Sequence, residues 1–252
     1  MIAYITGSGF YEMPGFEEVC VATPYGDVSL YQGARSGAPF FVLPRHGAGH
    51  RFLPHQINHR AHLHALKAAG ASAVISCSVC GVINPDWPIG QPMVADDLYF
   101  PDNRLGDGTA CTLFDTPGEA GRGHLLAATF FHPGWRQAVG RALGAVHTGT
   151  YAHVTGPRFN SVGEIRALRQ TGADFLSQTC GPEAVLANEL ELPCALAAFG
   201  IDYANGVRPT PTPVEVLNEN LAAAKSAFLQ LMDTLEAPER DGGFQNFIYR
   251  FS

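Results

Sequence analysis

The sequence predicts an α/β protein. Three observations lead there. Short apolar runs alternate along the chain with amphipathic stretches, those stretches carry helix start and stop signals, and the composition supplies a large core. Hydrophobic residues make up 46% of the 252 positions and charged ones only 15%, against roughly 25% charged in an average soluble domain. That balance excludes a disordered chain. Gly 28 and Pro 18 stay below low-complexity levels. The length suits one α/β domain. A net charge of −7, with no run of Lys or Arg, leaves no electrostatic footprint for nucleic acid. So few charges imply that part of the surface is covered, as identical subunits would cover it.

The strands expected in order are Ile2–Ile5, Phe40–Leu43, Ala73–Ser76, Met93–Ala95, Tyr151–Val154 and Ala195–Phe199. Between them, Asn58 to Ala69 carries Leu63, Leu66 and small alanines, a helix suited to lie on a sheet. Ser161-x-x-Glu164 is a capping box for a helix reaching about Gln170, with Gly172 as its stop. Gly181-Pro182-Glu183 opens a further helix with proline at a first helical position. Thr212-Pro213-Val214-Glu215 joins a capping box to an N1 proline, and Leu217, Leu221, Ala224, Phe228, Leu231 and Leu235 follow at spacings of four and three. Strand–helix alternation of this kind gives α/β layering. Phe100 to Gly123, rich in Gly, Asp and Asn, reads as a long loop of the kind that carries function. Residues 1–235 form the expected domain. Residues 236–252 form a tail whose Phe247, Tyr249 and Phe251 alternate at period two, as an added strand or a subunit contact would.

The first residues lack a cationic segment and Glu17-Glu18 follows, so no signal peptide is expected. The stretch from Ala71 to Ile83 is too short to cross a bilayer. Six cysteines (Cys20, Cys77, Cys80, Cys111, Cys180, Cys194) are too sparse for a disulfide scaffold. They read as reduced thiols of a cytoplasmic protein.

Five segments could carry chemistry. Thr6-Gly7-Ser8-Gly9-Phe10 leaves a strand through a glycine turn, where backbone N–H groups and a hydroxyl can approach an anion. It completes neither the dinucleotide fingerprint nor a P-loop, and a bare structural turn stays open beside it. Pro44-Arg45-His46-Gly47-Ala48-Gly49-His50 offers a guanidinium fork and an imidazole to an oxyanion; a solvated surface turn is the alternative. Ser76-Cys77-Ser78-Val79-Cys80-Gly81 ends an apolar strand with hydroxyls and thiols, at the end where α/β sheets bind ligands. Gly156-Pro157-Arg158-Phe159-Asn160 puts an aromatic face beside a polar side chain, ahead of the capped helix. Asp202 follows the strand Ala195–Phe199, where partial desolvation would raise its pKa and suit it to hold a proton. His55, His59 and His62 have helical spacing that could bind zinc. However, no carboxylate or cysteine joins them and Pro54 interrupts the helix they need. Cys77-x-x-Cys80 has no second pair and reads as core thiols. No metal site is therefore expected.

Taken in order, these segments resemble the trimeric purine nucleoside phosphorylase family, in particular its methylthioadenosine phosphorylase branch. The resemblance runs over residues 1–235. It rests on Gly7-Ser8-Gly9, Pro44-Arg45-His46-Gly47 with His50 and Pro54, Asn58 and Arg60-Ala61, Cys80-Gly81, Gly156-Pro157-Arg158-Phe159, Gly172-Ala173-Asp174, Pro182-Glu183 and Asp202-Tyr203. It implies a central mixed, partly barrel-like sheet flanked by helices, and phosphorolysis of a purine nucleoside to the free base and a sugar 1-phosphate. It implies phosphate as co-substrate with no other cofactor and no metal, and a homotrimer or a pair of trimers. By the same resemblance Ser8, Arg45, His46, Ser78 and Thr179 hold phosphate, Asp202 is the acid at purine N7, Phe159 stacks on the base, and Val79 and Cys80 line the pocket. The 5′ end of the sugar falls near Val216 and Leu217, and His124 matches a histidine lent by a neighbouring subunit.

The chain also departs from the family pattern. Asp202-Tyr203-Ala204 lacks the second carboxylate of the adenine branch, and Asn160 stands where the 6-oxopurine branch has glutamate. Gln178 replaces a ribose-covering methionine and could bond sugar hydroxyls, while His59 and His62 replace a tyrosine and an asparagine. The expected substrate is 5′-methylthioadenosine or a related 5′-modified adenosine. A phosphorylase for another base, such as 5′-methylthioinosine or inosine, and an inactive nucleoside-binding homologue are the alternatives.

Overall fold

Apolar strand sequences with few interruptions can lie only where both faces are covered, and Ala73–Val82 is such a run. In the computed structural model, which describes residues 1–10, 15–35, 38–239 and 243–251, this run is the fifth strand and the hub of the sheet. The strands preceding it are β1 (Ile2–Thr6), β2 (Glu17–Val21), β3 (Val28–Arg35) and β4 (Ala38–Pro44); helix α1 (His59–Ala68) then leads into β5 (Ala73–Val82). The chain continues through β6 (Gln91–Tyr99), β7 (Gly123–Leu126), α2 (Pro133–Leu143), β8 (His147–His153), α3 (Val162–Gln170), β9 (Phe175–Ser177), α4 (Cys180–Glu189), β10 (Cys194–Tyr203), α5 (Val214–Thr234) and β11 (Phe247–Arg250).

Nine strands form one mixed sheet in the order β10-β6-β8-β9-β5-β1-β4-β3-β2, and a further pairing of β10 with β5 closes its first five strands into a barrel. β5 runs parallel to β1 and β10 and antiparallel to β9. The carboxyl ends of β1, β4, β5 and β10 therefore gather on one side, where the Gly7–Gly9 turn, the Arg45-His46 segment, the end of β5 and Asp202 lie, while the Gly156–Asn160 segment follows β8, which runs antiparallel to β5. A register shift between Gly200 and Asp202, where β10 meets β5, re-aims the end of β10.

One apolar layer joins Tyr4, Val42, Ile75 and Phe199 of the sheet to Ala224, Phe228, Leu231 and Met232 of α5. A second layer joins Ile5, Leu43, Val74 and Leu196 to Leu63 and Leu66 of α1 and Leu186 of α4. Cys180 through Asn188 of α4 are all buried, which is why that helix shows no amphipathic pattern in sequence. The Ser161 capping box forms as expected, and Asn58 Oδ1 caps α1 by accepting from the Ala61 N–H.

Several local expectations are corrected. α5 starts at Val214 with Pro213 as its cap residue, and the Thr212 hydroxyl accepts from the Tyr203 N–H instead of closing a capping box. α4 begins at Cys180, so Pro182 is its third residue rather than its first. Helix α2 was not expected. Its signal lies in Pro133 at the first position, the His132 cap on the Trp135 N–H, and buried Trp135, Ala138 and Val139. The loop from Phe100 is as long as expected and ends at β7, which pairs antiparallel with the tail strand β11. Among the described residues, no helix is long and apolar enough to cross a membrane.

Candidate active site

The site is built around a buried arginine. Arg45 directly follows β4, beside the carboxyl end of β1, with its N–H donating to the Thr6 carbonyl at 2.9 Å. Its side chain is only 1% exposed. Nε and Nη2 donate to the two carboxylate oxygens of Glu183 on α4 at 2.6 and 2.9 Å, Nη1 donates to the Cys77 carbonyl at 2.7 Å, and Nη2 also reaches the Ile5 carbonyl at 3.2 Å. Burial alone would favour the neutral guanidine, but the Glu183 carboxylate keeps it charged. This corrects the expectation that the Arg45 fork opens toward an anion: the fork faces Glu183. A single Nη1 hydrogen is left, and a Cβ added to Gly7 would lie 2.7 Å from Nη1, so only a glycine fits over the guanidinium. The arginine thus underlies the Gly7-Ser8-Gly9 turn and ties it to Cys77, the residue before Ser78.

Short hydrogen bonds link Ser78 through Ser177 and Tyr151 to the turn that bears Thr179, and His46 directly follows Arg45. The Ser78 hydroxyl donates to the Ser177 hydroxyl at 3.1 Å. The Tyr151 hydroxyl pairs with Ser177 Oγ at 2.9 Å and accepts from the Cys180 N–H at 3.2 Å, so it holds the strand-to-helix turn that bears Gln178 and Thr179. Thr179 is buried, with its hydroxyl 3.6 Å from Cys180 Sγ. His46 is buried beside Arg45, and its Nδ1 lies 2.8 Å from the Phe52 carbonyl. A carbonyl can only accept, so Nδ1 carries the hydrogen and Nε2 is the free acceptor of the neutral ring. Burial, then the Arg45 charge, pushes its pKa down to about 4. Its ring stacks on His50 with centroids 4.1 Å apart.

Asp202 lies at the other end. It pairs with Gly81 across the β10–β5 register, and a Cβ on Gly81 would lie 3.5 Å from its carboxylate. Burial raises its pKa to about 6. From Ser78 to Gly81 is three residues of strand, about 10 Å, a span that accommodates a sugar ring between an anion and a base. Asn220 of α5 donates to the Ile201 carbonyl at 2.9 Å and so ties α5 to the end of β10, with Val216 one helical turn earlier on the same helix.

The remaining candidates are more dispersed. Phe159 is 82% exposed on the loop between β8 and α3. Asn160 accepts, through its backbone carbonyl, from Asn205 Nδ2 at 2.7 Å. Gln178 gives one Nε2 hydrogen to the Arg158 carbonyl at 3.0 Å, which leaves its second amide hydrogen and Oε1 for other partners. Val79 is partly buried and Cys80 fully buried along β5; burial pushes both the Cys77 and Cys80 thiols up. His124 does not join the cluster within this chain. It stands exposed on β7 opposite Tyr249.

His55 sits on a short 3-10 turn before α1, so His55, His59 and His62 do not share one helix. Among the described residues no three His, Cys, Asp or Glu side chains converge to hold a metal ion. Sequence reasoning gave Glu183, Ser177 and Tyr151 no role. Only the Pro182-Glu183 pair hinted at one, because a carboxylate in an otherwise apolar buried helix needs a partner.

The profile of the phosphorylase superfamily matches residues 1–236. The chain belongs to that superfamily. It is 35% identical over 218 residues to the 6-oxopurine nucleoside phosphorylase of Pyrococcus furiosus, covering 82% of this chain and 80% of that one. It is 36% identical over 255 residues to the S-methyl-5′-thioadenosine phosphorylase of Hyperthermus butylicus, covering 95% and 90%. Among solved structures it superposes on a methylthioadenosine phosphorylase from Schistosoma mansoni in complex with tubercidin. That match has a TM-score of 0.80 at 25% identity and covers 92% and 89% of the two chains. As a superfamily member of this kind the protein is a pentosyltransferase of the nucleoside phosphorylase type, with the expected closed mixed sheet.

Proposed function

We propose that the enzyme cleaves a purine nucleoside bearing an apolar 5′ group, such as 5′-methylthioadenosine, with inorganic phosphate as co-substrate and no further cofactor. The single observation that supports this reading is the register of β5 against β10, in which Asp202 pairs with Gly81, three strand residues and about 10 Å of backbone beyond Ser78. Phosphate lies over the Gly7–Gly9 turn, with donors from Ser8, Ser78, Thr179 and the remaining Arg45 hydrogen, and with His46 at its rim. A phosphate oxygen attacks the anomeric carbon as its bond to the base nitrogen breaks, and the electron pair goes to the purine. Asp202, whose proton leaves at about pH 6, delivers that proton to N7, the step a positioned general acid accelerates. Phe159 covers the base, and Val216 and Leu217 meet the 5′ substituent.

The base is the finer question. One oxygen of Asp202 accepts from a 6-amino group while its protonated oxygen serves N7, whereas the buried Ala204 leaves no second carboxylate for that group. That second observation favours a 6-oxopurine nucleoside, for which a protonated Asp202 would donate. An absorbance assay of 5′-methylthioadenosine, adenosine, 5′-methylthioinosine and inosine decides between them. Base release from the first, dependent on phosphate, is expected; release only from the inosines would assign the 6-oxo substrate, and release without phosphate would remove phosphorolysis altogether. The six unpaired cysteines support work in a reducing, cytoplasmic compartment.

A further inference from the structure

Three consecutive carbonyls in the loop between β8 and α3 are each held by a side chain. The Arg158 carbonyl accepts from Gln178 Nε2 at 3.0 Å, the Phe159 carbonyl from Arg158 Nη1 at 3.2 Å, and the Asn160 carbonyl from Asn205 Nδ2 at 2.7 Å. Arg158 is itself fixed by two hydrogen bonds to Glu164, at 2.9 and 2.7 Å. Loop carbonyls at a surface are satisfied by water, so side-chain donors there add little stability. What they do is remove conformations. Phe159 stands 82% exposed in the middle of this clamped backbone.

The two outer clamps come from informative places. Gln178 directly precedes Thr179, at the anion end of the site, and Asn205 lies three residues beyond Asp202, at the base end. The aromatic ring is thereby referenced to both ends of the substrate at once. Gly156 fits the arrangement, because a Cβ there would overlap the Gln178 amide.

We propose that Gln178 and Asn205 are positioning residues that hold Phe159 as a fixed platform at a set height over the Asp202 carboxyl, and so determine how a purine base is gripped. They act through Phe159 and touch neither phosphate nor the breaking bond. This rests on the nucleoside phosphorylase reading above. A wild-type enzyme that releases no base from any of the four nucleosides refutes that reading. A working wild type whose variants behave like it refutes the platform alone.

The test is a double-mutant cycle with steady-state kinetics on the nucleoside that the wild type prefers. Gln178→Met and Asn205→Ala should each raise the nucleoside KM about 10-fold, since small misplacements of a positioning group have effects of this size or larger. The phosphate KM should stay within about 2-fold and the melting temperature should hold, because no buried group is lost. In a Phe159→Ala background both effects should vanish, as expected when two residues act through one contact. Gly156→Ala, which displaces the Gln178 amide by bulk, should reproduce Gln178→Met and serves if that variant does not fold. An unchanged nucleoside KM, an equal rise in the phosphate KM, or an effect that survives in the Phe159→Ala background overturns the proposal.

Discussion

At the scale of single residues, the chemistry depends on environments that move protons. Asp202 is an ordinary aspartate in sequence, and partial burial at the end of β10 brings its pKa to about 6. Replacement by Asn keeps the shape and a hydrogen-bond donor but removes the transferable proton. Asp202→Asn should lower kcat by about 10²–10⁴, the span of a lost general acid, with phosphate affinity little changed. The wild-type activity limb that falls as pH rises past about 6 should be absent from the variant. A pH–rate profile of both enzymes checks this, and an unchanged limb would assign the proton to another group. The candidate status of Asp202 was legible because a carboxylate just after an apolar strand is unusual. The bond from Gln178 to Arg158 was not legible, because its partner lies 20 positions away on another element.

At the scale of elements, α4 is bound to the sheet by charge as well as by packing. Glu183 accepts two hydrogen bonds from Arg45 and one from the Ser76 hydroxyl at 2.6 Å, with Glu183 and Arg45 each only 1% exposed. One carboxylate therefore joins α4 to β4 and β5, and Arg45 extends the link to β1 through the Ile5 carbonyl. Glu183→Gln leaves the guanidinium buried without a counter-charge. It should destabilise the protein by about 3–5 kcal/mol, the usual cost of breaking a buried ion pair from one side, as read by urea unfolding. A loss below about 1 kcal/mol, the value of an exposed pair, would mean that water reaches the pair. Strand cores such as Ala73–Ser76 were readable from their apolar runs. Their full lengths were not, because Cys77–Val82 gains its strand character from pairing with β10 and β9 rather than from its own propensity.

At the scale of the whole molecule, buried imidazoles govern acid stability. His46 and His62 are pushed down to about 4 and His153 to about 3, each chiefly by burial, and His59 is lowered as well. From their ordinary value of 6.5 downward, the unfolded chain takes up protons that the native protein refuses, so stability falls as pH falls, until about pH 4. Asp202 and Glu189 are raised and work in the opposite sense, but two carboxyls oppose four imidazoles. The urea midpoint should therefore drop markedly between pH 7.5 and pH 5, and an unchanged midpoint would show that the imidazoles are solvated. Assembly belongs to this scale too. His124 stands exposed and apart from the site of its own chain, which supports completion of the pocket by a second copy. Sedimentation should show an oligomer, and a fully active monomer would end that idea. The sequence by itself determined the α/β class, the glycine turns, the Ser161 cap and the segments that carry chemistry, because these rest on local periodicity, conformational freedom and residue type. Only the tertiary structure decided that the Arg45 fork faces Glu183, that Gln178 grips a loop carbonyl, and that β5 and β10 close a barrel in which Asp202 pairs with Gly81. Which donor meets which acceptor depends on the register and packing of distant elements, and no local pattern encodes that.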